Sequence, residues 1–413
     1  VILLIVIVFI LFYLSFIFFI RIASVFNKKA RLLVRGHSET FRILAGKIDK
    51  KSSYIWFHVS SLGEFEQGRV MMELIRKQNP DKKLLLTFFS PSGYTVRKDW
   101  NGADVVCYIP FDTPRNAKRF CNAVNISSAF YVKYDFWPNF ISCLKKRNIK
   151  QYCVSAIFNS DQLFFKPYGG FYRKMLGKLD HIFVQDQNSE ELLHGIGVVN
   201  TTIVGDTRCD SVLAIARKCQ QNPLIEQFAG SDKVFIAGSS WPADERIYLP
   251  FFSTHNDWKL IITPHEMSPL RMKTLIDNLG SHKTLLLSQA DSENITTADT
   301  LIIDCFGLLS SLYRYATISY VGGGFGEGVH NTLEAAVYGK PVLFGPNNRR
   351  FREIQELKHL GGGFQVGSAS EFVTVMDKFI SDLHCLDKAG KIAADYVTAN
   401  AGSSQTILSS VSL

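Results

Sequence analysis

The sequence predicts an α/β protein: two domains, each a parallel sheet wound with helices, behind an apolar N-terminal segment. Three observations carry that expectation. At 413 residues the chain has room for two or three domains of roughly 100–200 residues each. Apolar residues make up 46% and charged residues 20%, which supplies real cores and excludes a disordered chain. Short apolar runs alternate with helix-length amphipathic stretches, the pattern of βαβ units. The 29 Gly and 13 Pro follow no period, so fibres and low-complexity tails are excluded, and no internal repeat is evident.

Residues 1–20, VILLIVIVFILFYLSFIFFI, carry no charge. As a helix they reach about 30 Å, the thickness of a bilayer core. A signal peptide would begin with a basic region, run shorter and end in small residues. This segment begins apolar and is followed by bulky and basic residues, so an uncleaved single-pass anchor over 1–20 is expected. Arg21, Lys28, Lys29, Arg31 and Arg35 follow it, with no acid before Glu39. They supply five of the nine net positive charges. Such a collar suits anionic lipid and, by the positive-inside rule, places the remaining chain in the cytoplasm. No aromatic-interleaved basic strand or zinc finger supports a nucleic-acid partner. The eight cysteines show no CxxC spacing and read as small buried hydrophobes of a reducing compartment.

Strands are expected at 54–59, 83–89, 105–108, 129–132, 151–155, 181–184 and 202–204, with helices such as 66–77, 114–123 and 139–146 between them. A second series follows at 234–237, 260–263, 284–287, 300–303, 317–321 and 341–344. The polar stretch Lys218–Pro223 separates the series as a linker. The expected organisation is an anchor at 1–20, one domain over 21–217, a second over 224–395, and a C-terminal segment 396–413. Two such domains facing a cleft suit a two-substrate enzyme. Open parallel sheets bind ligands beyond the carboxyl ends of their strands, so the motifs that follow strands matter most.

In WFHVSSLGEFEQG, residues 56–68, a strand ends and a helix opens. Ser60 and Ser61 can cap the helix, and Gly63 permits close backbone approach. Glu64 sits where the helix field favours its charge. It can serve as a general base or simply stabilise the first turn. VGGGFGEGVHNTLE, residues 321–334, holds five glycines within seven residues. Gly322, Gly323 and Gly324 followed by a helix N-terminus could surround a phosphate; a flexible turn before a capped helix is the plainer alternative. The segment is neither a Walker loop nor G-x-G-x-x-G. His330 and Glu334 share one face of the expected helix but lack a third ligand, so no metal is expected. Glu334 is better placed for ribose hydroxyls. GSSWP at 238–242, TPHE at 263–266 and DCFGL at 304–308 each follow a strand. Each alone reads as a βα turn, but together they suggest a nucleotide site in the second domain.

The combination resembles the Kdo (3-deoxy-D-manno-octulosonic acid) transferases of lipopolysaccharide assembly, GT-B glycosyltransferases with two Rossmann-like domains facing a cleft. The resemblance runs from the anchor to near Ser368. It is carried by HVSSLGEFEQG, LLLTFFSPSGY, YIPFDTPRNAKRF, KYDFWPNF, VGDTRCDSV, AGSSWPADE, TPHE and VHNTLEAAVYGKPVLFGP. The SPSGY and KYDFWPN wording is similar to the Bacteroidetes branch.

The resemblance implies an inverting, metal-independent transfer of Kdo from CMP-Kdo to a lipid A precursor, without a cofactor, at the cytoplasmic face of the inner membrane. It assigns Glu64 as general base, Asp135 as an acid near the reaction centre, and Arg208 as the residue steadying the transition state. CMP contacts fall at Pro264 and His265, at Phe306, Gly307 and Leu308, and at Asn331, Thr332, Leu333 and Glu334. Many members read E-T-E-L-W-P-N where this chain has Lys133 and Tyr134 in place of the first two residues. R-H often stands where this chain has Pro264-His265, and M-G-E where it has Phe306-Gly307-Leu308. Two other readings remain: a GT-B enzyme using a UDP-sugar on a membrane lipid, and a non-catalytic nucleotide-sugar-binding membrane scaffold.

Overall fold

The computed structural model describes residue 15 and residues 17–413. The chain divides into two compact units, one taking it up to Ser211 together with Gly402–Leu413, the other Val212–Ala401.

The first unit holds seven strands: β1 (Tyr54–Val59), β2 (Lys83–Phe88), β3 (Val105–Tyr108), β4 (Ile126–Val132), β5 (Lys150–Ala156), β6 (His181–Val184) and β7 (Thr201–Ile203). Their order is β3-β2-β1-β4-β5-β6-β7, and every pairing is parallel. Helices cover both faces, which is why these strands read as nearly unbroken apolar runs. Successive side chains still alternate. Trp56 joins Phe120, Tyr131 and Phe140 in one core, while its neighbour Phe57 joins Phe65, Phe88 and Phe130 in the other. The chain winds outward in opposite directions from β1 and β4, so the topological switch point lies between these two strands.

Residues 17–26 are helical, and the helix Lys28–Lys47 follows, capped by the Asn27 side chain on the Ala30 N–H. It packs closely on the unit, since a Cβ on Gly36 would meet the Tyr108 ring at 2.2 Å. The anchor expected over 1–20 lies almost wholly outside the described residues. Among the described residues no helix is long and apolar enough to cross a membrane.

The second unit repeats the plan with β8 (Lys233–Ser240), β9 (Trp258–Pro264), β10 (Thr284–Leu286), β11 (Thr300–Ile302), β12 (Ile318–Val321), β13 (Val342–Phe344) and β14 (Gly363–Gln365). The order is β10-β11-β9-β8-β12-β13-β14, again all parallel. Its switch point lies between β8 and β12. Phe235, Tyr248, Phe252, Tyr320 and Phe372 form the centre of its core.

Two features depart from the sequence reading. The divide between units falls inside the helix Thr207–Lys218, ahead of the polar 218–223 stretch, because the start of that helix is tied into the first unit. The last helix, Ser403–Ser410, returns to the first unit and buries Ile407 and Leu408 in its core. Asp210 fixes that return by accepting the Gly402 and Ser404 N–H groups at 2.6 and 2.7 Å.

Candidate functional site

Glu64 lies in the first turn of the helix Leu62–Gln78, directly after β1. Its carboxylate folds back to accept the Ser60 N–H, whereas Ser61 at the N-cap makes no side-chain cap bond. Burial pushes the Glu64 carboxyl above its ordinary range and the negative charge of Asp135 pushes it further. The Ser60 bond and the charge of Lys133 oppose that rise without cancelling it. A half-buried carboxyl with raised proton affinity is what a general base requires. No atom lies within 4 Å of where a Cβ on Gly63 would sit, so packing does not require that glycine.

Asp135 follows β4, the strand beside β1. Lys133 takes a left-handed backbone, φ 63°, which turns the chain off the strand end. Asp135 Oδ2 then lies 2.8 Å from His58 Nε2, and the Trp137 indole N–H reaches the same nitrogen at 2.8 Å. The W-P-N segment is held from below by Asp112, a buried residue just after β3. Its carboxylate accepts the Asn139 and Phe140 backbone N–H groups and the Asn139 side chain. Burial outweighs those bonds and pushes the Asp112 carboxyl up to about 6.

Arg208 opens the helix after β7. Its Nε and Nη2 donate to Asp206 Oδ2 at 2.7 and 2.6 Å. Burial alone would raise the Asp206 carboxyl, but the charge and hydrogen bonds of Arg208, aided by Lys133, hold it below the usual range. The guanidinium is therefore shared with Asp206. The fields of Lys133 reach both Glu64 and Asp206, which links the strand ends of β1, β4 and β7. The structure thus assembles Glu64 and Asp135 at the switch point. It also adds three groups that no motif argument had assigned: His58, Asp112 and Lys133. His58 and Asp112 both lie within quoted motifs, but their partners lie far along the chain, so the motifs gave them no role.

In the second unit the motifs fall on the carboxyl ends of four adjacent strands, β11, β9, β8 and β12. A cavity of about 400 Å³ at the β8–β12 switch point is lined by Trp241, Arg246, His265, Gly323, Phe325 and His330, among others. Trp241 stacks on His265 with centroids 4.4 Å apart, and His265 stacks on His330 at 4.7 Å. Burial, with the neighbouring His265, lowers the His330 imidazole to about 4, so it is neutral at physiological pH. Of the expected nucleotide contacts, His265 and Gly323 line this cavity. Pro264 ends β9 as a buried residue, while Phe306 and Gly307 stand exposed after β11. Leu308 begins the short helix Leu309–Leu312.

Packing within the unit builds the glycine-rich loop. A Cβ on Gly322 would lie 2.3 Å from the Ser239 carbonyl, and one on Gly324 would lie 2.5 Å from the Gly345 Cα. Gly323 has φ +94°, a backbone that favours glycine. The Gly322 N–H goes to the Gly238 carbonyl, and the Gly323 N–H to buried Asp244 at 3.0 Å. Asp244 also accepts from Trp241 N–H and Tyr320 O–H, so two of the three amides expected to face a phosphate are engaged within the unit. The helix expected next is a single turn, Leu333–Ala336. His330 precedes it, so His330 and Glu334 do not share a helical face. Asn331 accepts the Leu333 N–H and donates to Glu334 at 3.2 Å, while Thr332 and Leu333 are buried. Among the described residues no cluster of three His, Cys, Asp or Glu side chains forms a metal site.

Comparison with known proteins gives this geometry a family. Residues 35–211 match the family described as 3-deoxy-D-manno-octulosonic-acid transferase (kdotransferase). The chain is 25% identical to a 3-deoxy-D-manno-octulosonic acid transferase of Rickettsia bellii, covering 83% of each chain. It is 26% identical to one of Aquifex aeolicus, over 79% of this chain and 86% of that protein. A bifunctional glycosyltransferase/methyltransferase of Fusobacterium nucleatum is 27% identical over 79% of this chain, which spans about half of that longer protein, 53%. Two solved structures share the fold at low identity. They are a UDP-GlcNAc 2-epimerase from Neisseria meningitidis (TM-score 0.63, 16% identity, 87% of this chain and 98% of that one) and a glycosyltransferase from Rickettsia africae (TM-score 0.58, 12% identity, 87% and 97%). The doubled parallel α/β sheet is accordingly GT-B-like, and over residues 35–211 the chain is similar to the Kdo transferases.

Proposed function

We propose that the chain transfers Kdo from CMP-Kdo to the primary hydroxyl of a lipid A precursor, by one inverting displacement with Glu64 as general base. The observation that carries this reading is Glu64 itself. A carboxyl following β1 at the switch point, with raised proton affinity and a neighbouring acid, suits removal of a hydroxyl proton. The acceptor proton passes to the Glu64 carboxylate, and the freed oxygen pair forms the bond to the anomeric carbon. The bond from that carbon to the CMP oxygen breaks, its electron pair leaving with CMP. Arg208 and Lys133 supply positive charge for the anions present in the transition state. The nucleotide is assigned to the second unit, at the strand ends carrying His265, Phe306–Leu308 and Asn331–Glu334. Because the leaving group holds one phosphate, the reaction is expected to proceed without metal. The acceptor is a membrane lipid, which suits the basic collar at 21–35 and an apolar anchor ahead of it, on the cytoplasmic face of the inner membrane.

The test incubates the protein in detergent with CMP-Kdo, a tetraacylated lipid A precursor and EDTA, and weighs the lipid. A mass gain of one or more Kdo units, lost in Glu64→Gln with CMP binding retained, is the expected result. No gain despite CMP-Kdo binding overturns the acceptor assignment, and no binding overturns the donor.

A further inference from the structure

His58 is the polar member of β1, a strand whose six residues are all buried. A histidine so placed is costly unless both ring nitrogens are bonded. Here they are, and the sheet register sets one side of the arrangement. His58 lies opposite Thr87 on β2, with Nδ1 2.8 Å from Thr87 Oγ1. The Trp56 indole N–H also donates to Thr87 Oγ1, at 2.8 Å. That leaves the threonine hydroxyl proton for His58 Nδ1, or for the Phe57 carbonyl at 3.4 Å. On the other side, Nε2 meets an acceptor and a donor at the same 2.8 Å, the Asp135 carboxylate and the Trp137 N–H.

One nitrogen cannot serve both at once. With the proton on Nε2, His58 donates to an ionised Asp135, and Thr87 donates to Nδ1. With the proton on Nδ1, Thr87 turns to the Phe57 carbonyl, Nε2 accepts from Trp137, and Asp135 has no donor on the ring. The tautomer of a fully buried imidazole thereby decides whether the Asp135 carboxylate has a donor on the ring. We infer that His58 is a positioning residue of the transfer reaction: its Nε2–H, fixed through Thr87, holds and aims the Asp135 carboxylate so that its charge acts on Glu64. The inference rests on the proposed role of Glu64. The other titratable groups facing the trio are Lys133, on the same turn as Asp135, and His37 from the helix Lys28–Lys47. Burial lowers the His37 imidazole to about 4, which keeps it neutral.

Substitution by Asn and by Gln separates positioning from packing, because Gln places an N–H donor near the Nε2 position and Asn does not. His58→Asn is expected to lower kcat about 10- to 100-fold, leave KM for CMP-Kdo within about twofold, and move the acid limb of the pH–rate profile to lower pH. His58→Gln is expected to recover most of the kcat. Asp135→Asn, which leaves the buried ring in place, should show the same loss and the same displacement, and adding His58→Asn to it should cost little more. Equal losses in both His58 variants with an unmoved acid limb, or additive losses in the double variant, would overturn the inference. Nitrogen NMR of the His58 ring gives a readout without turnover: an Nε2–H tautomer at neutral pH is expected, and an Nδ1–H tautomer refutes it. Turnover surviving in Glu64→Gln would instead sink the base assignment while leaving the tautomer measurement standing.

Discussion

Glu64 works between two charges of opposite sign, and each pulls its carboxyl in a known direction. Burial and Asp135 raise it above its ordinary value of 4.5, and Lys133 lowers it. Only the ionised form can accept the hydroxyl proton. The activity should therefore fall as pH drops through a value above 4.5, and Lys133→Met should move that acid limb higher still, as a pH–rate profile would show. Arg208 invites a different experiment, because it serves Asp206 as well as any anion in the reaction. Arg208→Ala should slow turnover about 10²- to 10³-fold and also lower the melting temperature by stranding Asp206. Adding Asp206→Asn should restore the melting temperature and not the rate. Of these residues Glu64 was singled out by its place after a strand, and Asp135 and Arg208 were named only through the family motifs. Lys133 could be seen only as a departure from the family wording. The roles of His58 and Asp112 were hidden because their partners lie far along the chain, Thr87 across the sheet from His58 and Asn139 and Phe140 in a helix beyond β4 from Asp112.

At the level of single elements, the strands were the most legible part. β1, β3 and β6 begin and end where the sequence reading placed them, since strands covered on both faces are nearly continuous apolar runs. β14 went unseen, being three residues, Gly-Phe-Gln, behind Gly361 and Gly362, too short and too glycine-rich to show alternation. The glycine-rich segment after β12 was read for its phosphate-binding potential. Gly322, Gly323 and Gly324 are needed for backbone contact inside the unit. This gives a contrast within one loop. Gly324→Ala forces a Cβ to 2.5 Å from the Gly345 Cα, whereas at Gly326 the nearest atom is 3.9 Å away. Gly324→Ala should destabilise the second unit by about 1–3 kcal/mol, as overpacking does. Gly326→Ala should leave its denaturation midpoint nearly unchanged, and equal midpoints for the two variants would contradict the packing account. Asp112→Ala should cost about 1–3 kcal/mol in the first unit, by leaving the Asn139 and Phe140 N–H groups without their acceptor.

For the molecule as a whole, two parallel sheets were legible from the two series of strands and the polar break between them. What the series could not show is the path of the last residues. An amphipathic C-terminal helix announces an apolar face but not which core receives it, and the partner of Ile407 and Leu408 is set down hundreds of residues earlier. Removing Gly402–Leu413 should lower the stability of the first unit by several kcal/mol, on the order of 1.5–3 for each large apolar side chain lost. The second unit should be spared, and calorimetry resolving two transitions would tell them apart. The same return path governs the order of events during synthesis. A chain emerging from the ribosome makes the strands of its first unit early, yet the helix that completes one face of that unit is translated only after all of Val212–Ala401. Until then the site for Ile407 and Leu408 stands open to solvent and to chaperones. Nascent chains stalled just before Gly402 should accordingly be cleaved in the first unit by a protease that spares the released protein, because the unit begun first is completed only after the second.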